Sequence, residues 1–172
     1  VSISSEADVI AAMSAARALQ ISALAGVDSW GTTALHDALV ASLDYLAGEQ
    51  GRQAVVVFSD GVDRYSRTSA AQVTERARRS QALIYPVALG KVRPGFLVEL
   101  ATLTGGRSFH LKDARELEPA LATIARELRN QYLLGYTPVH AGGKGEWRTI
   151  RVRLTGNHPG SRVRARDGYL AD

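Results

Sequence analysis

The 172-residue chain contains no cysteine. That absence excludes a disulfide scaffold, a thiol nucleophile, an iron–sulfur cluster and any thiolate zinc site. No apolar run approaches the roughly 18 to 20 residues that a membrane helix requires, so no membrane span is expected. Internal repeats and low-complexity tracts are lacking as well. The four histidines, His36, His110, His140 and His158, are scattered, with no i, i+4 pair to hold a metal. His36 is expected on a helix surface and His110 at the end of a strand. The chain opens on Val1 without an initiator methionine or a basic-then-apolar leader, which reads as a fragment or processed form.

What is present is ordinary globular composition, 45% hydrophobic and 22% charged. The length suits one domain, which at this size buries roughly two-thirds of its unfolded surface. The formal net charge of +4 is unevenly placed. Residues 146–172 hold six arginines against Glu146, Asp167 and Asp172, a net of +3, whereas the preceding 145 residues hold 15 basic and 14 acidic side chains. The body is close to neutral and the basic character belongs to the tail. A nucleic-acid surface normally carries a larger excess across its main face, and the alternating arginines of the tail fit the solvent side of a sheet with few aromatics for base stacking. No nucleic-acid partner is expected.

Residues 54–59 (AVVVFS) form an unbroken β-branched apolar run closed by Asp60-Gly61. A run without alternation is the signature of a strand covered on both faces, as in a parallel sheet flanked by helices. Leu83–Leu89 (LIYPVAL) is a second such run, and 107–111 (RSFHL) a third, after Gly105-Gly106. Helical patterns lie between them. Leu35, Leu39, Leu43 and Leu46 share one stripe, 70–80 is a polar arginine-bearing helix, and 96–104 is a short one stopped by the glycine pair. In 116–130, Leu117, Leu121, Ile124 and Leu128 share a face, with acids in the first turn and arginines in the last, as the helix dipole prefers. The alternation predicts an α/β fold: an open, doubly wound, mostly parallel sheet with right-handed crossovers.

After Asn130 the pattern changes. Residues 131–137, 147–154 and 162–166 read as three strands with no helix between them, joined by Gly- and Pro-rich linkers. The division expected is an α/β domain over 1–137 and an antiparallel β extension over 138–172 packed on it.

In doubly wound sheets, ligands bind beyond the carboxyl ends of the strands. Asp60 lies at such an end, and Thr33 lies at the mouth of the preceding helix. Because that helix runs back across the sheet, its N-terminus shares an edge with the end of the following strand. A threonine hydroxyl and an aspartate there are hard oxygen ligands suited to Mg²⁺. The blander readings are a helix N-cap for Thr33 and a simple turn at Asp60-Gly61.

The phrases GTTALHDAL, AVVVFSDGVD, LIYPVALG, TGGRSFHL and RNQYLLGY, with the closing VRARDGYL, resemble a von Willebrand factor type A domain, and more narrowly the bacterial proteins related to it. The likeness covers nearly the whole chain, loosely over the first thirty residues. It implies a non-catalytic protein-interaction or adhesion module that holds its partner through a divalent cation, Mg²⁺ or else Mn²⁺ or Ca²⁺, at a metal-ion-dependent adhesion site. By the family's spacing, Thr33 matches the site's threonine, with Thr32 as fallback, and Asp60 matches its aspartate. The family's DxSxS loop is not matched, since Val1-Ser2-Ile3-Ser4-Ser5 has serines without a leading aspartate and reads as an early edge strand. The cation is therefore conditional on a segment upstream. Without a strand from that segment, the sheet is expected to have an open edge at 54–59.

Hydroxyls and one aspartate leave a cation under-neutralised, so the resemblance implies a protein partner offering an acidic side chain. Arg64, Tyr65 and Arg67 are candidates for the rim of the site or plain solvated loop residues. Asp63 is placed either to reach the metal through water or to pair with Arg64 or Arg67. The resemblance also implies an extracytoplasmic setting in a bacterium, whether secreted, periplasmic or on the cell surface. Two rivals stand beside this reading: a metal-independent structural module of the same fold, and a Mg²⁺-dependent phosphatase using Asp60, Asp63 and Lys91. The second is disfavoured because Asp63 follows Asp60 by three residues rather than two. Gly142-Gly143-Lys144-Gly145 reads as a hairpin loop rather than a phosphate cradle, since it lacks a strand-to-helix context.

Overall fold

The computed structural model describes residues 1–27, 32–139 and 143–171. A short antiparallel hairpin comes first, β1 (Ser2–Ile3) with β2 (Ala7–Asp8), followed by α1 (Arg17–Ala25). The α/β body then runs α2 (Leu35–Leu46), β3 (Ala54–Phe58), α3 (Ala70–Arg79), β4 (Leu83–Leu89), α4 (Gly95–Thr104), β5 (Phe109–Leu111) and α5 (Leu117–Arg129). A second antiparallel pair, β6 (Trp147–Thr149) and β7 (Gly168–Leu170), lies near the carboxyl terminus. Trp30 and Gly31 ahead of the threonine pair, and His140 and Gly142 of the glycine-rich loop, lie outside the described residues.

Strands β3, β4 and β5 pair in that order and all parallel, with Val55 opposite Ile84 and Val87 opposite Phe109. Their continuous apolar runs are accounted for by cover on both faces. Val55, Val57 and Ile84 pack with Leu39 and Leu43 of α2, Val73 of α3 and Leu97 of α4. Tyr85, Val87 and Leu111 pack with Ala120 and Ile124 of α5. The molecule is thus mixed α/β, with a parallel sheet between helices. Among the described residues β3 is an edge strand, as the lack of a matching first strand led us to expect.

The middle strand contains Pro86, a residue normally confined to sheet edges. It is tolerated because β5 is three residues long and begins opposite Val87. Nearer the start of β4, the Ile84 N–H donates to Thr104 Oγ1 at 3.0 Å, and Pro86 has no N–H to satisfy. The glycine pair serves this junction. Gly105, at φ +82°, closes α4 in the left-handed conformation. Gly106 passes so near Ile84 that a Cβ there would sit 2.0 Å from its carbonyl oxygen.

The carboxyl-terminal region departs from expectation. Residues 131–137 and 162–166 are not strands, and only Trp147–Thr149 of the predicted 147–154 pairs, with Gly168–Leu170 as its partner. The reason lies in where residues 164–167 direct their polar groups. Arg164 pairs with Glu127 of α5, and the Asp167 N–H donates to the Leu103 carbonyl at 3.0 Å. The Arg166 guanidinium donates to the carbonyls of Arg78 and Ser80, both at 3.1 Å. Carbonyls at a helix end have no partner within the helix, and the dipole favours a cation there. The segment is fastened to the body instead of to a sister strand. Arg166→Met keeps the aliphatic stem and removes these bonds. It is expected to lower stability by about 1.5–3 kcal/mol and to open residues 143–171 to limited proteolysis. Unchanged melting and cleavage would remove the anchor from the account.

Candidate functional site

Two elements meet at the carboxyl end of β3. The loop that follows the strand folds back over the first turn of α2, and the join is made through backbone. The N–H groups of Arg64 and Tyr65 both donate to the Thr33 carbonyl, at 2.9 and 3.2 Å. Thr33 and the loop carrying Asp60 therefore share one edge of the sheet. Thr33 is half-buried and Asp60 is exposed. The Asp60 carboxylate accepts the Val62 N–H at 3.0 Å, so the turn expected at Asp60-Gly61 is present as a side-chain-closed one. Gly61 follows at φ +81°, and a Cβ on it would lie 2.1 Å from Pro94 Cβ. The loop rests directly on Pro94, the residue that opens α4.

Helix α2 has no capping side chain of its own, because Ala34 occupies the N-cap. The N-cap role considered for Thr33 is therefore not realised; the loop supplies the caps. Asp63 Oδ1 accepts the His36 N–H at 3.1 Å, and Ser66 Oγ accepts the Asp37 N–H at 3.1 Å. The Ser66 hydroxyl also donates to Asp63 Oδ1 at 2.6 Å. In return Asp37, in the first turn of α2, accepts the N–H groups of Arg67 and Thr68 at 3.0 and 2.9 Å. Each carboxylate thus organises the element that the other one sits on.

This arrangement corrects two expectations. Asp63 does not pair with Arg64 or Arg67; its carboxylate is committed to the mouth of α2. His36 is not a free surface histidine. Its ring stands edge-on to Phe96 at 4.9 Å between centroids, with Nδ1 3.1 Å from the Thr68 carbonyl. Burial opposes charge on Asp63, but hydrogen bonds from Ser66 and His36 outweigh it and hold its carboxyl below the usual range. Asp37 is also held low, chiefly by the Thr68 side chain, against the opposing effect of burial. Arg64, Tyr65 and Arg67 are exposed around this core, Tyr65 by 62%.

The amino-terminal hairpin arrives at the same place. The Ala34 N–H donates to the Ser4 carbonyl at 2.7 Å, and the Thr32 N–H donates to Ser5 Oγ at 3.1 Å. The Ser5 and Thr32 hydroxyl oxygens are 3.3 Å apart. Residues 1–5 do contain a strand, β1, but the serines after it belong to the mouth of α2. The only sequence signal for this was the serine spacing. Asp37 carried none, since an acid in a first helical turn is common.

Among the described residues no group of three or more His, Cys, Asp or Glu side chains converges to hold a metal. The side-chain oxygens along this edge are the Ser5 and Thr32 hydroxyls, 3.3 Å apart, the Thr33 hydroxyl, and the Asp60 carboxylate, which is turned onto the Val62 N–H. Such donors fit a hard divalent cation that keeps several waters.

No protein-family model and no curated protein matches this chain. Among solved structures, an uncharacterized membrane spanning protein from Vibrio fischeri aligns at 20% identity with a TM-score of 0.41, over 64% of this chain and 66% of that one. A likeness of that degree decides nothing about fold or activity. No described helix of this chain is long and apolar enough to cross a membrane.

Asp63→Asn and Asp37→Asn are each expected to cost about 1–2 kcal/mol. Both carboxyl groups titrate lower in the folded chain than in the unfolded one. Their contribution is therefore complete above about pH 4 and is lost as pH falls through the lowered values. Denaturant melts from acid to neutral pH check this, because each neutral variant flattens the acid limb. A limb identical to that of the unsubstituted chain would sink the clamp.

Proposed function

We propose that the chain is a von Willebrand factor A-like, non-catalytic interaction module that holds a protein partner through a divalent cation at the carboxyl edge of its sheet. The observation that carries this reading is the joining of the Thr33 backbone to the loop of Asp60, with Ser5 seated on Thr32 beside them. The Thr33 hydroxyl and the Asp60 carboxylate are the side chains assigned to the ion. When bound, the cation supplies an open coordination position for a carboxylate of the partner. One protein carboxylate among neutral hydroxyls leaves it charge to share, and Arg64 and Arg67 on the rim favour an acidic surface. No residue in this scheme performs turnover, and the setting inferred from the family likeness is extracytoplasmic.

Thermal melts with and without Mg²⁺ or Mn²⁺ form the test, and the cation is expected to raise the melting temperature. Thr33→Ala and Asp60→Asn are expected to abolish the shift. If neither cation stabilises the protein, the metal-independent module takes its place. One observation favours that second reading: Asp37, Asp63 and Ser66 close the loop through hydrogen bonds among protein groups.

A further inference from the structure

The loops after β3 and β4 meet at the carboxyl edge of the sheet and carry more cations than acids. Residues 60–68 and 90–94 contain Arg64, Arg67, Lys91 and Arg93 against Asp60 and Asp63, a net of +2. Asp63 is committed to α2, so Asp60 is the one exposed carboxylate of these loops. All four cations are exposed, and among the described residues none of them forms an ion pair. Elsewhere the pattern is the reverse: Arg76, Arg79, Arg107, Arg115 and Arg164 each hold an acid.

Residues 91–93, Lys-Val-Arg, form a short arch between two fastened ends. At its start the Gly90 N–H donates to the Leu111 carbonyl at 3.2 Å, and His110 Nε2 lies 2.8 Å from the Gly90 carbonyl. At its end Pro94 is buried against Gly61. The arch is thus tied to β5 and to the loop of Asp60, away from the outer side of β3. Val92 stands between the two cations, 77% exposed. Across the Gly61–Pro94 contact lie Val62 and Tyr65, also exposed. An apolar side chain framed by unpaired cations, on a loop already fastened, is poised to meet a ligand of matching pattern with little left to order.

We propose that the protein partner held at this edge presents an acidic segment with an apolar side chain among its carboxylates, read by Lys91, Val92 and Arg93 together with Arg64. This rests on the reading of the edge as a protein-interaction surface, but it does not need the cation. Complementary charge steers the encounter and fixes register, while the apolar contact on Val92 adds the burial that charges in water do not supply. A phosphate backbone would answer the charges but has no aliphatic side chain to set on Val92. Tyr65 is the one ring within these loops on which a base could stack. Where a divalent cation also binds, the net positive loops oppose it until the acidic segment arrives, so segment and cation strengthen each other by one common factor.

The test is a fluorescent peptide with the core Asp-Glu-Leu-Glu-Asp between Gly-Ser arms, titrated by anisotropy in EDTA and in Mg²⁺. Binding is expected in EDTA and is expected to weaken about tenfold between about 50 and about 200 mM salt. Lys91→Glu with Arg93→Glu is expected to weaken it at least about tenfold, and Val92→Ser about threefold. All three side chains are exposed, so the melting temperature is expected to stay unchanged. Replacing the peptide's leucine by serine is expected to lose the same threefold against the unsubstituted chain and nothing further against Val92→Ser. A serine peptide that binds as tightly as the leucine one overturns the proposal. So does an affinity indifferent to the paired charge reversals, which places the peptide on the basic tail, or an oligothymidylate of equal charge binding as tightly, which means a general polyanion surface. Binding in Mg²⁺ with none in EDTA overturns it too and leaves the cation reading standing. Binding that depends on the arch and ignores Mg²⁺ upholds it and removes the cation.

Discussion

Asp63 and Asp37 exchange hydrogen bonds between the first turn of α2 and the loop after β3, and the position of the other polar groups at that edge follows from the exchange. A helix start without a capping side chain has free N–H groups directed outward. A loop after a parallel strand has backbone groups with no ladder to join. Each supplies what the other lacks. Once they are locked, Thr33 is held by Arg64 and Tyr65, His36 is turned onto Phe96, and the exposed side chains of the loop are the ones that face outward. An edge held by its own hydrogen bonds leaves less for a ligand to order on binding.

Much of the body was legible because burial on two faces writes itself plainly. AVVVF and LIYPVAL admit few positions other than covered parallel strands, and the leucine stripe of α2 has one apolar side to bury. The pairing of the tail was not legible. In 162–166 the alternation of arginine with small apolar residues imitates a strand, but Arg164 and Arg166 have partners on α5 and α3 that are distant in sequence. Alternation reports a segment with two unlike faces; it does not report what lies against either one.

The candidate site divides in the same way. Asp60 and Thr33 could be placed on a common edge from topology alone, because a helix and the strand after it must run in opposite senses. The inward turn of Asp63 could not. An aspartate three residues past a strand looks the same in sequence whether it faces a metal, an arginine or a helix start, and only the absence of a cap at Ala34 distinguishes the last case. The early edge strand expected within residues 1–5 is present as β1, but the seat of Ser4 and Ser5 at the mouth of α2 was not legible. Two-residue strands such as β1 and β2 are set by tertiary contact more than by their own propensity.

Gly61 presses on Pro94 at one end of α4, and at the other end Gly105 lies against the backbone of Ala165 and Arg166. That ten-residue helix, about 15 Å long, works as a strut between the sheet's upper edge and the base where the basic tail is moored. Helices resist compression far better than loops do. The aspartate loop and the basic tail therefore share one rigid support, the proline that seats the first lying at one end of α4 and the Leu103 carbonyl that receives the Asp167 N–H near the other.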